Sequence, residues 1–100
     1  MSQPISFYRH LPAWTYTQFV AKQLTSIEVA AIIERFLDGT GEKWDWDDFT
    51  SISILDPVLD GVRRTCGELP DRYPPVRPSH YCSEAGFQIL RTLVQDLSVV

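Results

Sequence analysis

The residues best equipped for chemistry are the cysteines Cys66 and Cys82, the histidines His10 and His80, and the aspartates Asp45, Asp47 and Asp48. A thiolate nucleophile needs a base beside it and a third group to orient that base. Cys82 stands just ahead of a helix start at Ser83, where the helix dipole would lower a thiol pKa, and His80 or His10 is the available base. No third group can be assigned from spacing, and 100 residues leave little room for a substrate pocket beside a core. Zinc asks for four tetrahedral ligands, usually in close pairs such as C-x2-C. Cys66, His80, Cys82 and His10 offer only the pair His80-x-Cys82, and one intervening residue is unfavourable for a zinc knuckle. A core thiol and a loop histidine account for these residues more simply, and no cofactor is implied.

The acidic segment Asp38-Gly39-Thr40-Gly41-Glu42-Lys43-Trp44-Asp45-Trp46-Asp47-Asp48-Phe49 invites comparison with a calcium loop. Such a loop needs Gly at its sixth position and a bidentate acid at its twelfth. Counted from Asp38 these are Lys43 and Phe49, so the pattern fails where coordination is strictest. Gly39 and Gly41 make no phosphate cradle either, because the Gly-Lys-Ser/Thr run is missing and the acids would repel phosphate. What is left is Trp44, Asp45, Trp46, Asp47 and Asp48, with tryptophan as anchor and aspartate as steering charge for a basic protein. The plainer alternative makes Trp46 and Phe49 core residues of a short helix with a solvated outer face, since large aromatics dominate small cores. The rival functional class is a small enzyme or metal-binding protein using the Asp45/Asp47/Asp48 cluster, or Cys82 with His80.

The run Phe36-Leu37-Asp38-Gly39-Thr40-Gly41, followed by Trp44-Asp45-Trp46-Asp47-Asp48-Phe49, resembles a stretch in small bacterial proteins of uncharacterised function. The likeness covers residues 36–60 and implies no activity.

Charge favours the binding alternative. Residues 38–60 carry seven acids against Lys43 alone, a net −6, while residues 1–37 and 61–100 are each +1. Such a field repels nucleic acid and anionic lipid and draws basic partners or cations. An apolar share of 44 % with 22 % charged residues argues for a folded chain, and 100 residues make one domain, 1–100. No apolar run approaches the ~18–20 residues of a membrane span. Met1-Ser2-Gln3-Pro4 opens no secretory signal, so the expected location is cytoplasmic, where the two cysteines are thiols.

These groups must be held by helices. Residues 1–14 read as an extended N-terminal arm. Thr15-Tyr16-Thr17-Gln18 has the capping-box form and opens a helix with Tyr16, Phe19, Val20 and Leu24 on one face, although residues 14–17 also alternate as a strand would. Thr25-Ser26-Ile27-Glu28 repeats the box, Val29, Ile32, Ile33, Phe36 and Leu37 keep a helical period, and Gly39 is the natural stop. A short helix is expected with Asp45 as N-cap, then a brief extended stretch at Ile52 and Ile54. Asp56-Pro57 starts the next helix, burying Val58, Leu59, Val62, Cys66 and Leu69, with Gly67 near a fraying end. Pro70, Pro74, Pro75 and Pro78 make residues 70–82 a long proline-rich loop. The last helix starts from Ser83 and buries Phe87, Leu90, Leu93, Val94 and Leu97.

The expected fold is a mainly α single domain: a small bundle of about five helices, with a minor β element at 14–17 or 51–54. The expected function is a non-enzymatic protein-interaction or regulatory protein that binds a basic partner through residues 38–60. No nucleic acid or membrane is expected as partner, and the oligomeric state is left open.

Overall fold

Helix α1 (Ser26–Asp38) forms where the sequence places both of its end signals. Thr25 Oγ1 accepts from the Glu28 N–H at 3.1 Å and Glu28 Oε1 accepts from the Thr25 N–H at 2.8 Å, satisfying two amides that a helix start leaves without partners. Gly39 ends the helix in the left-handed region at φ 73°, and the Thr40 N–H turns back to the Arg35 carbonyl at 3.0 Å. The computed structural model describes residues 21–99, and the other helices among them are α2 (Lys43–Ser51), α3 (Pro57–Arg72) and α4 (Glu84–Ser98).

The described residues thus hold four helices rather than about five. The arm at 1–14, the strand alternative at 14–17 and most of the helix expected from Thr15 lie outside them. The end of that expected helix, residues 21–24, is not helical: Lys22 forms a parallel bridge with Ile54. The Lys22 N–H donates to Ser53 O and the Leu55 N–H to Lys22 O, both at 2.8 Å, which is all that forms of the extended stretch expected at Ile52 and Ile54.

Helix α2 starts three residues before the expected position, with Glu42 rather than Asp45 as N-cap. Asp45 is its third residue, and Asp45 Oδ2 accepts from the Glu42 N–H at 3.0 Å, as Glu28 does for Thr25 in α1. Asp56 caps α3 as expected, its Oδ1 accepting from Val58 and Leu59 N–H at 2.8 and 3.2 Å. Leu59, Cys66 and Leu69 are buried, but Val58, on the flank of that stripe, is 72 % exposed. The helix then continues through Gly67 and Pro70 to Arg72, where a loop from residue 70 was expected. A proline inside a helix leaves the carbonyl four residues earlier without its donor. Here that carbonyl belongs to Cys66, and the Tyr81 hydroxyl donates to it at 2.9 Å. The loop is therefore 73–83, closed by the Ser83 N–H on the Tyr73 carbonyl at 2.9 Å. Ser83 takes the N-cap position of α4 without a side-chain bond to it.

Helix α1 packs chiefly on α4 and α2 chiefly on α3. Val29, Ile33, Cys66, Leu69, Cys82 and Leu90 are fully buried between them. None of the four helices is long and apolar enough to cross a membrane.

Candidate functional site

Helix α2 divides the acidic, aromatic segment between two faces. Trp46 and Phe49, three residues apart, point inward and are 6 % and 3 % exposed. Trp44 is 62 % exposed, and Asp47 and Asp48, three and four residues on, share its outer side. The two tryptophans therefore part: Trp46 belongs to the core and Trp44 to the surface.

Trp46 anchors an aromatic cluster. Phe36 of α1 stacks on it with centroids 3.9 Å apart and planes at 10°, and Tyr81 from the loop meets Phe36 and Trp46 edge-on at 5.2 and 5.8 Å. A cleft of about 390 Å³ opens against this cluster, between the turn after α1 and the start of α2. Its apolar wall is Ile32, Phe36, Trp46 and Tyr81, the bare turn supplies Gly39 and Gly41, and Arg35, Glu42, Asp45 and Asp47 form the rim. A second, smaller depression of about 160 Å³ adjoins it, with Asp45, Asp48, Phe49, Lys22 and Arg35 among its lining. Asp47 thus stands over the first, Asp48 over the second, and Asp45 between them.

The seven acids of residues 38–60 are not equivalent. Asp56 is spent on its cap. Asp60 Oδ1 accepts from Arg63 Nε at 2.8 Å and from the Ile54 N–H at 2.9 Å, while Arg64 Nη1 lies 3.5 Å from Asp60 Oδ2. The bond from Arg63, and next the Ile54 amide, hold the Asp60 carboxyl below the usual carboxylate range against the opposing push of burial. Arg63 Nη1 in turn donates to Thr50 O at 2.9 Å, so this group joins the end of α2 to α3. Asp45 commits only Oδ2, to the Glu42 amide. The outward field is carried by Asp38, Glu42, Asp45, Asp47 and Asp48.

Tyr81 sits where the cleft, the loop and α3 meet. Burial raises its hydroxyl pKa, Cys66, Cys82 and Asp47 add to the rise, and the nearby Trp46 indole N–H opposes it. The hydroxyl stays protonated and can donate to Cys66 O. The indole Nε1–H lies toward that hydroxyl without completing a hydrogen bond, and it is buried without any other acceptor. Sequence reasoning missed Tyr81, because nothing in its own surroundings marks it. The available signal was Pro70, whose missing N–H requires a substitute donor for Cys66.

The thiols take a different place from the one expected of a nucleophile. Cys66 and Cys82 are free and fully buried. Burial pushes the Cys66 thiol up to about 12. Cys82 is also raised, by burial first and by the Glu84 carboxylate second, so the dipole-lowered thiol expected ahead of α4 is overturned. His80 is exposed, with its ring edge-on to Phe87 at 6.4 Å. His10 lies outside the described residues. Among the described residues, no group of three or more His, Cys, Asp and Glu side chains is placed to hold a metal ion.

What these residues define is a small helical domain with an aromatic cleft rimmed by carboxylates. Compared with protein-family models, curated proteins and solved structures, the chain matches none.

Proposed function

We propose that the protein is a non-enzymatic interaction module that binds a basic protein through residues 38–60, with Trp44, Asp45, Asp47 and Asp48 in contact and Trp46 as the wall behind them. The observation that carries this reading is the exposed Trp44 on the same side of α2 as Asp47 and Asp48. A large aromatic left in water beside carboxylates that meet no partner among the described residues is the composition of an interface anchor. The aspartates steer a basic partner over about a Debye length, ~8 Å at physiological salt. Cys82 with His80 has no comparable support, its thiol being buried and held protonated.

The test is a pull-down with the wild type and with the double variant Asp47→Asn/Asp48→Asn, followed by association kinetics of whatever basic protein the wild type captures. The variant should associate more slowly, and the gap should close as salt rises. Trp44→Ala should act mainly on dissociation. A partner whose on-rate ignores both the charge change and the salt would show that these acids are only a solvated face.

A further inference from the structure

Building on that reading, we propose that the cleft beside α2 takes a single arginine side chain of the partner, laid on the aromatic wall with its guanidinium at the acidic rim that Asp45 and Asp47 help to form. Four observations lead there. The cleft, at about 390 Å³, is near the low end of ligand-sized pockets and suits one long side chain with its backbone. Its wall is Phe36, Trp46 and Tyr81, and a guanidinium, planar and weakly hydrated, lies well on aromatic surfaces. Its rim sets Glu42, Asp45 and Asp47 against Arg35 alone, so it draws a cation. Asp45 holds the turn through Oδ2 alone, and its Oδ1 meets no described donor.

A fifth observation bears on what carries the arginine. The Trp46 indole N–H is buried behind the cleft wall, lying toward the Tyr81 hydroxyl without completing a hydrogen bond. A guanidinium has only donors, and a metal ion would be repelled by an N–H. A peptide brings carbonyl oxygens together with its arginine, and so offers donors to the acids and an acceptor beside the aromatic wall. A lysine of the same peptide fits less well, because its ammonium is compact, strongly hydrated and without a plane to stack.

The test is an amide and indole NMR titration of the full chain with the blocked tripeptide Gly-Arg-Gly, against Gly-Lys-Gly and Gly-norleucine-Gly. The arginine peptide should shift the Trp46 indole, Gly41 and Tyr81 signals saturably. The lysine peptide should bind roughly 2–5-fold more weakly and the uncharged one more weakly still. Asp45→Asn/Asp47→Asn should remove most of the preference of arginine over norleucine. Shifts confined to Trp44 and Asp48 would overturn the cleft proposal while leaving the acidic face as a binding surface. Equal binding of the norleucine peptide would overturn it too, as would no saturable shift with any of the three. Failure of the broader reading shows separately, in an on-rate of the captured partner that ignores charge.

Discussion

Tyr81→Phe removes one oxygen and should reveal how α3 survives its proline. The Tyr81 hydroxyl donates at 2.9 Å to the carbonyl of Cys66, a residue with no exposed surface. The nitrogen that would normally meet this carbonyl is that of Pro70, which carries no hydrogen. Phenylalanine keeps the ring against Phe36 and Trp46, so the loss is confined to the bond. A net hydrogen bond contributes about 0.5–1.5 kcal/mol, and an acceptor left buried without a donor costs about 1–3 kcal/mol. A loss of about 2 kcal/mol lowers Tm by roughly 8–16 °C in a domain of this size. The discriminating companion is Pro70→Ala, which restores a backbone N–H for Cys66 O. In that background Tyr81→Phe should cost less by about 1 kcal/mol or more, a coupling that urea denaturation with a constant m-value resolves. The cycle cancels the separate effects of Pro70→Ala on helix propensity and on the unfolded chain. An equal cost of Tyr81→Phe in both backgrounds would refute the idea that the hydroxyl replaces the proline's missing donor.

Two further substitutions probe packing and charge. Gly86→Ala should destabilise by about 1–3 kcal/mol in thermal melts, because a Cβ there would stand 2.6 Å from Cys82 Sγ and 3.0 Å from Cys82 Cβ. Gly61→Ala should stabilise by up to about 1 kcal/mol, since its Cβ would meet only the far end of Arg64 at 3.9 Å; the same sign for both would contradict the packing account. Asp60→Asn should flatten the acid limb of the stability curve. Arg63 and the Ile54 amide keep the folded carboxyl below its unfolded value, so its contribution is complete above the usual carboxylate range and is lost as pH falls through the lowered value. A wild-type advantage that stays constant from neutral to strongly acid pH in denaturation midpoints would exclude this role.

The parts of the fold legible in the sequence are those whose causes are local. Thr25, Glu28 and Gly39 fix both ends of α1 within the helix itself, and Asp56 with Pro57 fixes the start of α3. The end of α3 was not legible, because Pro70 is tolerated only through a hydroxyl eleven residues further on, in a loop with no periodicity. Cys82 failed for a similar reason. The helix dipole is a local term and lowers a thiol pKa, whereas burial is a tertiary term and outweighs it here. Trp44 and Trp46 show an intermediate case. Residues two positions apart on a helix stand about 200° apart around its axis, so once α2 is a helix the two tryptophans cannot share a face. Phe49, three residues beyond Trp46, indicates which of them turns inward.

The acids carry this distinction into function. In the sequence, seven carboxylates of residues 38–60 look alike, and only their partners separate them. Asp56 and Asp60 are held by α3 and its neighbours, and Asp45 holds the turn at the start of α2. Asp47 and Asp48 lie beyond the first turn of α2, where the helix dipole no longer rewards an acid, and neither side chain caps a helix end. Their substitution by Asn therefore probes binding with little consequence for the fold. A change at Asp45 alters the rim of the cleft and the cap of the helix together. Loss of binding on Asp45→Asn alone would leave two causes standing, whereas loss on Asp47→Asn/Asp48→Asn with an unchanged melting temperature leaves only the charges that face the partner.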